Sequence, residues 1–180
     1  MISRAQTLVL LGSLLVSPAA ARGAPVEAAP QSPTTLTVVM RDLRGRQVGQ
    51  VTLTDSPHGL LVRGRLKNLP RGIHALHFHE TGKCEAPFKT AGGHYNPTQR
   101  SHGLLDPGGL HAGDLPNLVV PRSGKLDFET FAPGLTLSAG PASVLDADGT
   151  ALVLHAKADD HHTQPSGDAG DRIACAVIPR

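Results

Sequence analysis

The chain has 180 residues, with 17 Lys and Arg against 15 Asp and Glu, a formal net charge of +2 with histidine neutral. That charge is small and dispersed, and no Lys/Arg block occurs, so a basic nucleic-acid surface is excluded. The length suffices for one domain with a hydrophobic core, and 20 Gly, 15 Pro and only four Phe, one Tyr and no Trp suit a chain of many turns.

In chain order, the first segment reads as an export signal. Arg4 supplies the positive start and residues 7–16 (TLVLLGSLLV) an apolar run too short to span a bilayer. Ala19-Ala20-Ala21 then offers a small-residue cleavage site. A buried N-terminal helix is the other reading. The expected organisation is a signal peptide over 1–21, a flexible tether over 22–33 (RGAPVEAAPQSP) and one domain over 34–180. The mature protein is expected to be exported without membrane insertion. Its compartment would be the periplasm, with secretion to the exterior as the alternative.

Period-2 alternation dominates the rest. Leu36, Val38 and Met40 share a face; Val51 and Leu53 alternate with Thr52 and Thr54; Leu60, Val62 and Leu66 alternate with Arg63 and Arg65. Further strands are expected over 71–79, 117–121, 126–129, 151–156 and 172–178. Turn signals such as Asp55-Ser56-Pro57-His58-Gly59, Pro133-Gly134 and Asp148-Gly149 separate the runs. The pattern predicts an all-β fold, an antiparallel barrel or sandwich of about eight strands. Two long stretches, 80–116 and 157–171, lack alternation; irregular loops of that length in a compact β domain carry function.

The chemistry sits in and beside those loops. On the expected strand His74-Ala75-Leu76-His77-Phe78-His79, His77 and His79 point one way and can chelate one metal. His74 falls on the opposite face with Leu76 and Phe78, which suits a structural histidine bonded to backbone. His155 ends a strand that a sheet can bring beside His77 and His79. His94, His102, His111 and Asp114 fall within one loop stretch, and three imidazoles with a carboxylate make a full tetrahedral zinc set. Solvated loop histidines are the alternative. His161 and His162 read as solvated loop histidines, with a place lining a channel as their alternative. Cys84 and Cys175 are the only cysteines. An even pair in an exported chain suggests one disulfide, and two separate buried thiols are the other reading.

Several motifs taken together resemble the copper–zinc superoxide dismutase family, and the signal-like N-terminus with the Gln164-Pro165-Ser166-Gly167 loop makes the chain similar to its bacterial exported type. The motifs are His77-Phe78-His79, Gly93-His94-Tyr95-Asn96-Pro97, His111-Ala112-Gly113-Asp114-Leu115, His155-Ala156-Lys157-Ala158-Asp159-Asp160 and Gly167-Asp168-Ala169-Gly170-Asp171-Arg172-Ile173-Ala174-Cys175. The match runs from about residue 34 to the end. The resemblance implies a Greek-key barrel, one copper and one zinc per chain, and superoxide as substrate. It implies copper on His77, His79, His94 and His155, and zinc on His94, His102, His111 and Asp114, with His94 bridging the metals and carrying a proton in turnover. Asp159 would hydrogen-bond one ligand of each metal. Cys84–Cys175 would be the family disulfide, and Arg172 would draw the anion in beside the copper. A surface salt bridge is the bland alternative for Arg172, and a solvated carboxylate for Asp159. Asp171 and Asp168 depart from the pattern by placing negative charge near Arg172. A metal-buffering protein on the same fold and a zinc hydrolase are the competing readings; the complete His₃Asp set leaves a hydrolase no open zinc position. A homodimer and a monomer are both compatible with the sequence.

Overall fold

The computed structural model describes residues 34–180; the expected signal peptide and the whole of the expected tether lie outside that range. Nine strands follow one another: β1 Thr35–Asp42, β2 Gln47–Ser56, β3 Gly59–Leu66, β4 Gly72–His74, β5 Leu76–His79, β6 Leu118–Val120, β7 Leu126–Pro133, β8 Thr150–His155 and β9 Arg172–Ile178. Seven of them form one curled antiparallel sheet in the order β5-β8-β9-β1-β2-β3-β7, and β4 pairs with β6 in a second, two-stranded sheet. The order is that of a Greek-key barrel: β3 lies between β2 and β7, while the next strand of the same sheet in sequence, β5, lies at the far edge.

The alternation that marks the strands also builds the core. Met40, Val51, Leu53, Leu60 and Val62 are fully buried, and Val38 nearly so, inside one cluster that continues through Leu76, Phe78, Leu152 and Leu154. The intervening residues face out. Thr37 and Thr52 are cross-strand partners whose hydroxyls lie 2.9 Å apart, and Arg63 pairs with Glu129 across β3 and β7.

The strand expected over 71–79 is divided at Ala75. His74 pairs into the small sheet opposite Leu118, and Leu76 pairs into the large one opposite Leu154. Ala75 itself donates from its N–H to the Lys157 carbonyl at 2.8 Å and accepts from the His155 N–H at 2.9 Å. The break turns the chain from one sheet to the other, so nine strands stand where eight are expected. His74 braces the corner: its ring nitrogens lie 2.8 Å from the His155 carbonyl and 3.0 Å from the Pro70 carbonyl.

The outer face of β5, β8 and β9 is not left to solvent. Ala151, Val153 and Cys175 on that face pack with Phe88 and Ala91 of the following loop, and Cys84 joins them. The Cys84–Cys175 disulfide fastens this second, smaller core across a sequence separation of 91 residues. The sheet face carrying His77 and His79 is therefore roofed, and a roofed face can hold a buried polar site.

Candidate metal centre

His77 and His79 stand two residues apart on β5, opposite Val153 and Ala151 of β8, and His155 closes β8. The register shift between Leu154 and His155 leaves Ile173 of β9 unpaired and sets His155 opposite Arg172. The loop side chains reach the same place because the loop runs alongside β5. His79 and His94 form an isolated bridge, as do His77 and Asp114. Phe78 alternates between them: its carbonyl accepts from the Tyr95 N–H at 2.8 Å and its N–H donates to the Gly113 carbonyl at 2.9 Å. Only glycine fits at 113, where a Cβ would collide with the Phe78 carbonyl. Tyr95 anchors the stretch by burying its ring in the main core and donating its hydroxyl to the Ser143 carbonyl at 2.8 Å.

Two groups result. His77, His79, His94 and His155 can each offer one ligand atom with all four within 4.8 Å of one another, and so can His94, His102, His111 and Asp114. His94 belongs to both. His79 and His155 lie with their Nε2 atoms 3.3 Å apart, and His94 and His111 with their Nδ1 atoms 3.4 Å apart.

Hydrogen bonds to the far side of each ring decide which nitrogen faces a metal. His79 spends Nδ1 on the Gly92 carbonyl at 3.0 Å and His155 spends Nδ1 on the Gly170 carbonyl at 3.3 Å, so each presents Nε2. His77 spends Nε2 on Asp159 Oδ2 at 2.7 Å and presents Nδ1; His102 spends Nε2 on Asp159 Oδ1 at 3.0 Å and presents Nδ1. His94 directs Nδ1 at Asp114 Oδ1, 2.9 Å away, and presents Nε2 to the other group. The presented atoms His77 Nδ1, His94 Nε2 and His102 Nδ1 are buried without any hydrogen-bond partner. His102 Nδ1 does lie 3.0 Å from Asp114 Oδ2, but out of line for a hydrogen bond. Orphaned nitrogens in a dry interior are costly unless something coordinates them. These converge on two points with the donor chemistry of copper and zinc sites, so the residues present fit both metals.

For the four rings of the first group the electrostatics agree. Burial pushes His79 down to about 2, His155 to about 3 and His94 to about 4, with neighbouring imidazoles adding to the effect; burial lowers His77 as well. These rings are held neutral, the form that binds metal. Burial also acts to lower His102, but the Asp114 carboxylate 3.0 Å from Nδ1 and the hydrogen bond to Asp159 outweigh it and raise that ring to about 9. For Asp114 and Asp159 burial acts upward, yet bonds from His102 and its neighbours hold both carboxyls well below their usual range. Asp159 thus joins one ring of each group from a single buried carboxylate. It is framed by Gly167, whose φ of +66° favours glycine and where any Cβ would overlap Asp159 Oδ1.

A pH dependence follows for the metal-free protein. A buried histidine with a depressed pKa stabilises the fold above its unfolded value near 6.5 and loses that contribution as pH falls through its folded value. His79, His94 and His155 act this way, each costing roughly 1.4 kcal/mol per pH unit below neutrality. Asp114 and Asp159 add to the loss once pH drops below the ordinary carboxylate range. His102 acts oppositely, its contribution present below 6.5 and lost as pH rises through about 9. Metal-free protein is expected to melt at its highest temperature near neutral pH and at a steeply falling temperature from pH 6.5 to 4.5. A flat melting profile over that range would contradict the buried-neutral arrangement.

Arg172 lies beside the first group. It donates from Nη1 to the Phe88 carbonyl at 2.7 Å and from Nη2 to the Gly92 carbonyl at 2.6 Å, so one carbonyl, that of Gly92, orients both Arg172 and His79. The cleft beside it is lined by Leu43, Pro87, Lys89, Gly170, Asp171 and Arg172. Asp171 lines this cleft together with Lys89. Asp168 is turned to Lys157 at 3.4 Å on the exposed surface. His161 rests against Asn117 and Asp159, His162 is exposed, and neither lines this cleft.

Sequence reasoning misses the contacts of three polar side chains that hold the loops. Asn117 grips Asp159 at both ends of its peptide, accepting from its N–H and donating to its carbonyl, each at 2.8 Å. Gln164 does the same to His102. Glu80 accepts the Gly93 N–H at 2.8 Å, one residue before His94. No local spacing signals such contacts, because each joins segments far apart in the chain.

A curled Greek-key barrel carrying two buried, histidine-rich groups that share one ring defines a metal-binding β-barrel protein. Residues 47–178 match the family described as Copper/zinc superoxide dismutase (SODC). The superoxide dismutase [Cu-Zn] of Caulobacter vibrioides is 45% identical over 79% of this chain and 84% of its own. A crystal structure of a SOD-like protein from Bacillus subtilis superposes with a TM-score of 0.76 at 37% identity, covering 79% of this chain and 97% of that one. The Cu/Zn superoxide dismutase from Brucella abortus gives 0.66 at 31% identity over 81% and 99%. The chain belongs to the copper–zinc superoxide dismutase family. It is an oxidoreductase that dismutates superoxide, and copper and zinc are its cofactors.

Proposed function

We propose that this protein works outside the cytoplasm, in the periplasm, after loss of residues 1–21, with 22–33 as a tether and 34–180 as the working domain. The signal-like N-terminus supports export, and the Cys84–Cys175 disulfide suits an oxidising compartment. Copper would be held by His77, His79, His94 and His155, and zinc by His94, His102, His111 and Asp114. One observation carries the assignment: every ring whose far nitrogen is engaged leaves its other nitrogen facing one of the two groups.

Bound copper supplies the one-electron chemistry that zinc, being redox-inert, cannot. The chain's own residues do the rest. Arg172, fixed by two carbonyls beside the first group, attracts and orients the anion. His94 is set to carry a proton at Nε2, since Nδ1 is committed to the other group and Nε2 has no competing partner. Asp159 holds the His77 and His102 rings in register.

Metal-free protein reconstituted with zinc alone should show no superoxide dismutation, and protein given both metals should show it fully; activity with zinc alone would refute the copper assignment. Arg172→Ala should lower the rate several-fold and flatten its dependence on ionic strength. An unchanged rate with an unchanged salt slope would remove Arg172 from the steering role.

A further inference from the structure

We propose that Gln164 is a positioning residue that sets how tightly the zinc group holds its metal, through a two-point clamp on the His102 main chain. The inference rests on the assignment of zinc to His94, His102, His111 and Asp114.

His102 sits in an irregular stretch of the first long loop. Beside it, Ser101 makes only an isolated bridge to Gly109, and its N–H bonds to the Gly108 carbonyl. No ladder fixes the direction in which the fully buried His102 side chain leaves the backbone. Gln164 supplies what a ladder would. Its Oε1 accepts the His102 N–H at 2.8 Å, and its Nε2 donates to the His102 carbonyl at 2.8 Å. The same Nε2 reaches Asp106 Oδ2 at 3.3 Å and the His162 carbonyl at 3.2 Å. The two His102 contacts, one to a donor and one to an acceptor, also fix which end of the amide is oxygen.

The second long loop therefore grips His102 at both ends. Gln164 holds the main chain and Asp159 holds Nε2, which leaves Nδ1 aimed into the zinc group. Close approach reinforces the contact: at Gly103, next to His102, any Cβ would strike the His161 carbonyl. The copper group is built differently. His77, His79 and His155 stand on paired strands whose direction the sheet fixes. Loss of the Gln164 clamp should thus act on one metal far more than on the other.

Removing a group that orients a metal ligand typically weakens metal affinity about 10–100-fold. Gln164→Met keeps the length of the side chain and removes both hydrogen bonds. It should weaken zinc binding, measured by competition with a chromophoric chelator, by about tenfold or more. Copper affinity should change by no more than about twofold, because the three strand-borne copper residues do not depend on the clamp. In the metal-free protein, hydrogen exchange of the His102 amide should accelerate in the same variant. Cobalt bound in place of zinc should show an altered visible absorption spectrum, reporting a displaced ligand. Unchanged zinc affinity in Gln164→Met overturns the proposal, as does an equal loss of copper and zinc, which would mark general loosening of the fold. His102→Ala serves as the separate check on the underlying assignment. If that variant keeps the zinc affinity of the parent, His102 does not hold zinc and the role of Gln164 falls with it. If it loses zinc while Gln164→Met does not, the assignment stands and only the clamp is refuted.

Discussion

Replacing His94 with alanine is expected to remove most superoxide dismutation while part of the copper stays bound. The expectation comes from how the two groups are built. His77 and His79 on β5 and His155 at the end of β8 are held by sheet pairing and by their own bonds to Asp159, Gly92 and Gly170. None of these depends on the His94 ring, so three of the four copper-facing nitrogens keep their places. The zinc group loses one of four donors and the only residue it shares with the copper group. The chain also loses Nε2 of His94, the atom set to carry a proton beside the anion. The backbone at 94 should persist, because Tyr95 remains anchored in the core and Glu80 still holds Gly93. A loss on the order of a hundredfold in rate with copper retained would fit removal of a positioned proton carrier. Full activity in His94→Ala would remove the bridging role.

Cys175→Ser is expected to produce the largest loss of stability from a single substitution. The disulfide closes a loop across 91 residues, for which the chain-entropy relation gives about 4.6 kcal/mol, an upper figure. For a domain of this size that corresponds to a fall in melting temperature of more than about 10 °C. The effect should reach activity too. Cys84 begins the segment that carries the Phe88 and Gly92 carbonyls, and those two carbonyls hold Arg172. Cys175 itself is buried against Phe88, Ala91 and Val153. Freed from β9, the segment would keep Arg172 less well oriented, so the rate should fall and lose part of its salt dependence, as in Arg172→Ala. A melting temperature within two or three degrees of the parent would mean that the smaller core alone secures the roof.

Much of this architecture is legible in the sequence because strands such as β1, β2 and β3 alternate buried with more exposed residues, so alternation survives there as a direct record of facing. Residues 51–54 of β2 and the residues of β3 read this way, and Arg172–Ile178 is expected at its observed bounds. The break at Ala75 is not legible. Leu76 and Phe78 continue the alternation of the residues before them, and the corner is made by bonds from Ala75 to Lys157 and His155, far along the chain. The candidate metal residues stand out in sequence because imidazoles clustered at short spacing are unusual, and the structure brings both sets within coordinating reach. Their supports do not stand out. Asn117 and Gln164 are single amides in polar stretches, and their value lies in which peptide they meet after folding. His161 and His162 illustrate the converse: two histidines at suggestive positions, one resting on Asn117 and the other exposed.

The central claim is that two metal groups share His94. It is tested most directly by metal analysis of the mature protein, combined with copper-site spectroscopy before and after zinc is withdrawn. The account predicts one copper and one zinc per chain, with a copper spectrum that changes when zinc leaves, since the same ring serves both. Zinc alone at full loading, or a copper spectrum indifferent to zinc, would contradict it.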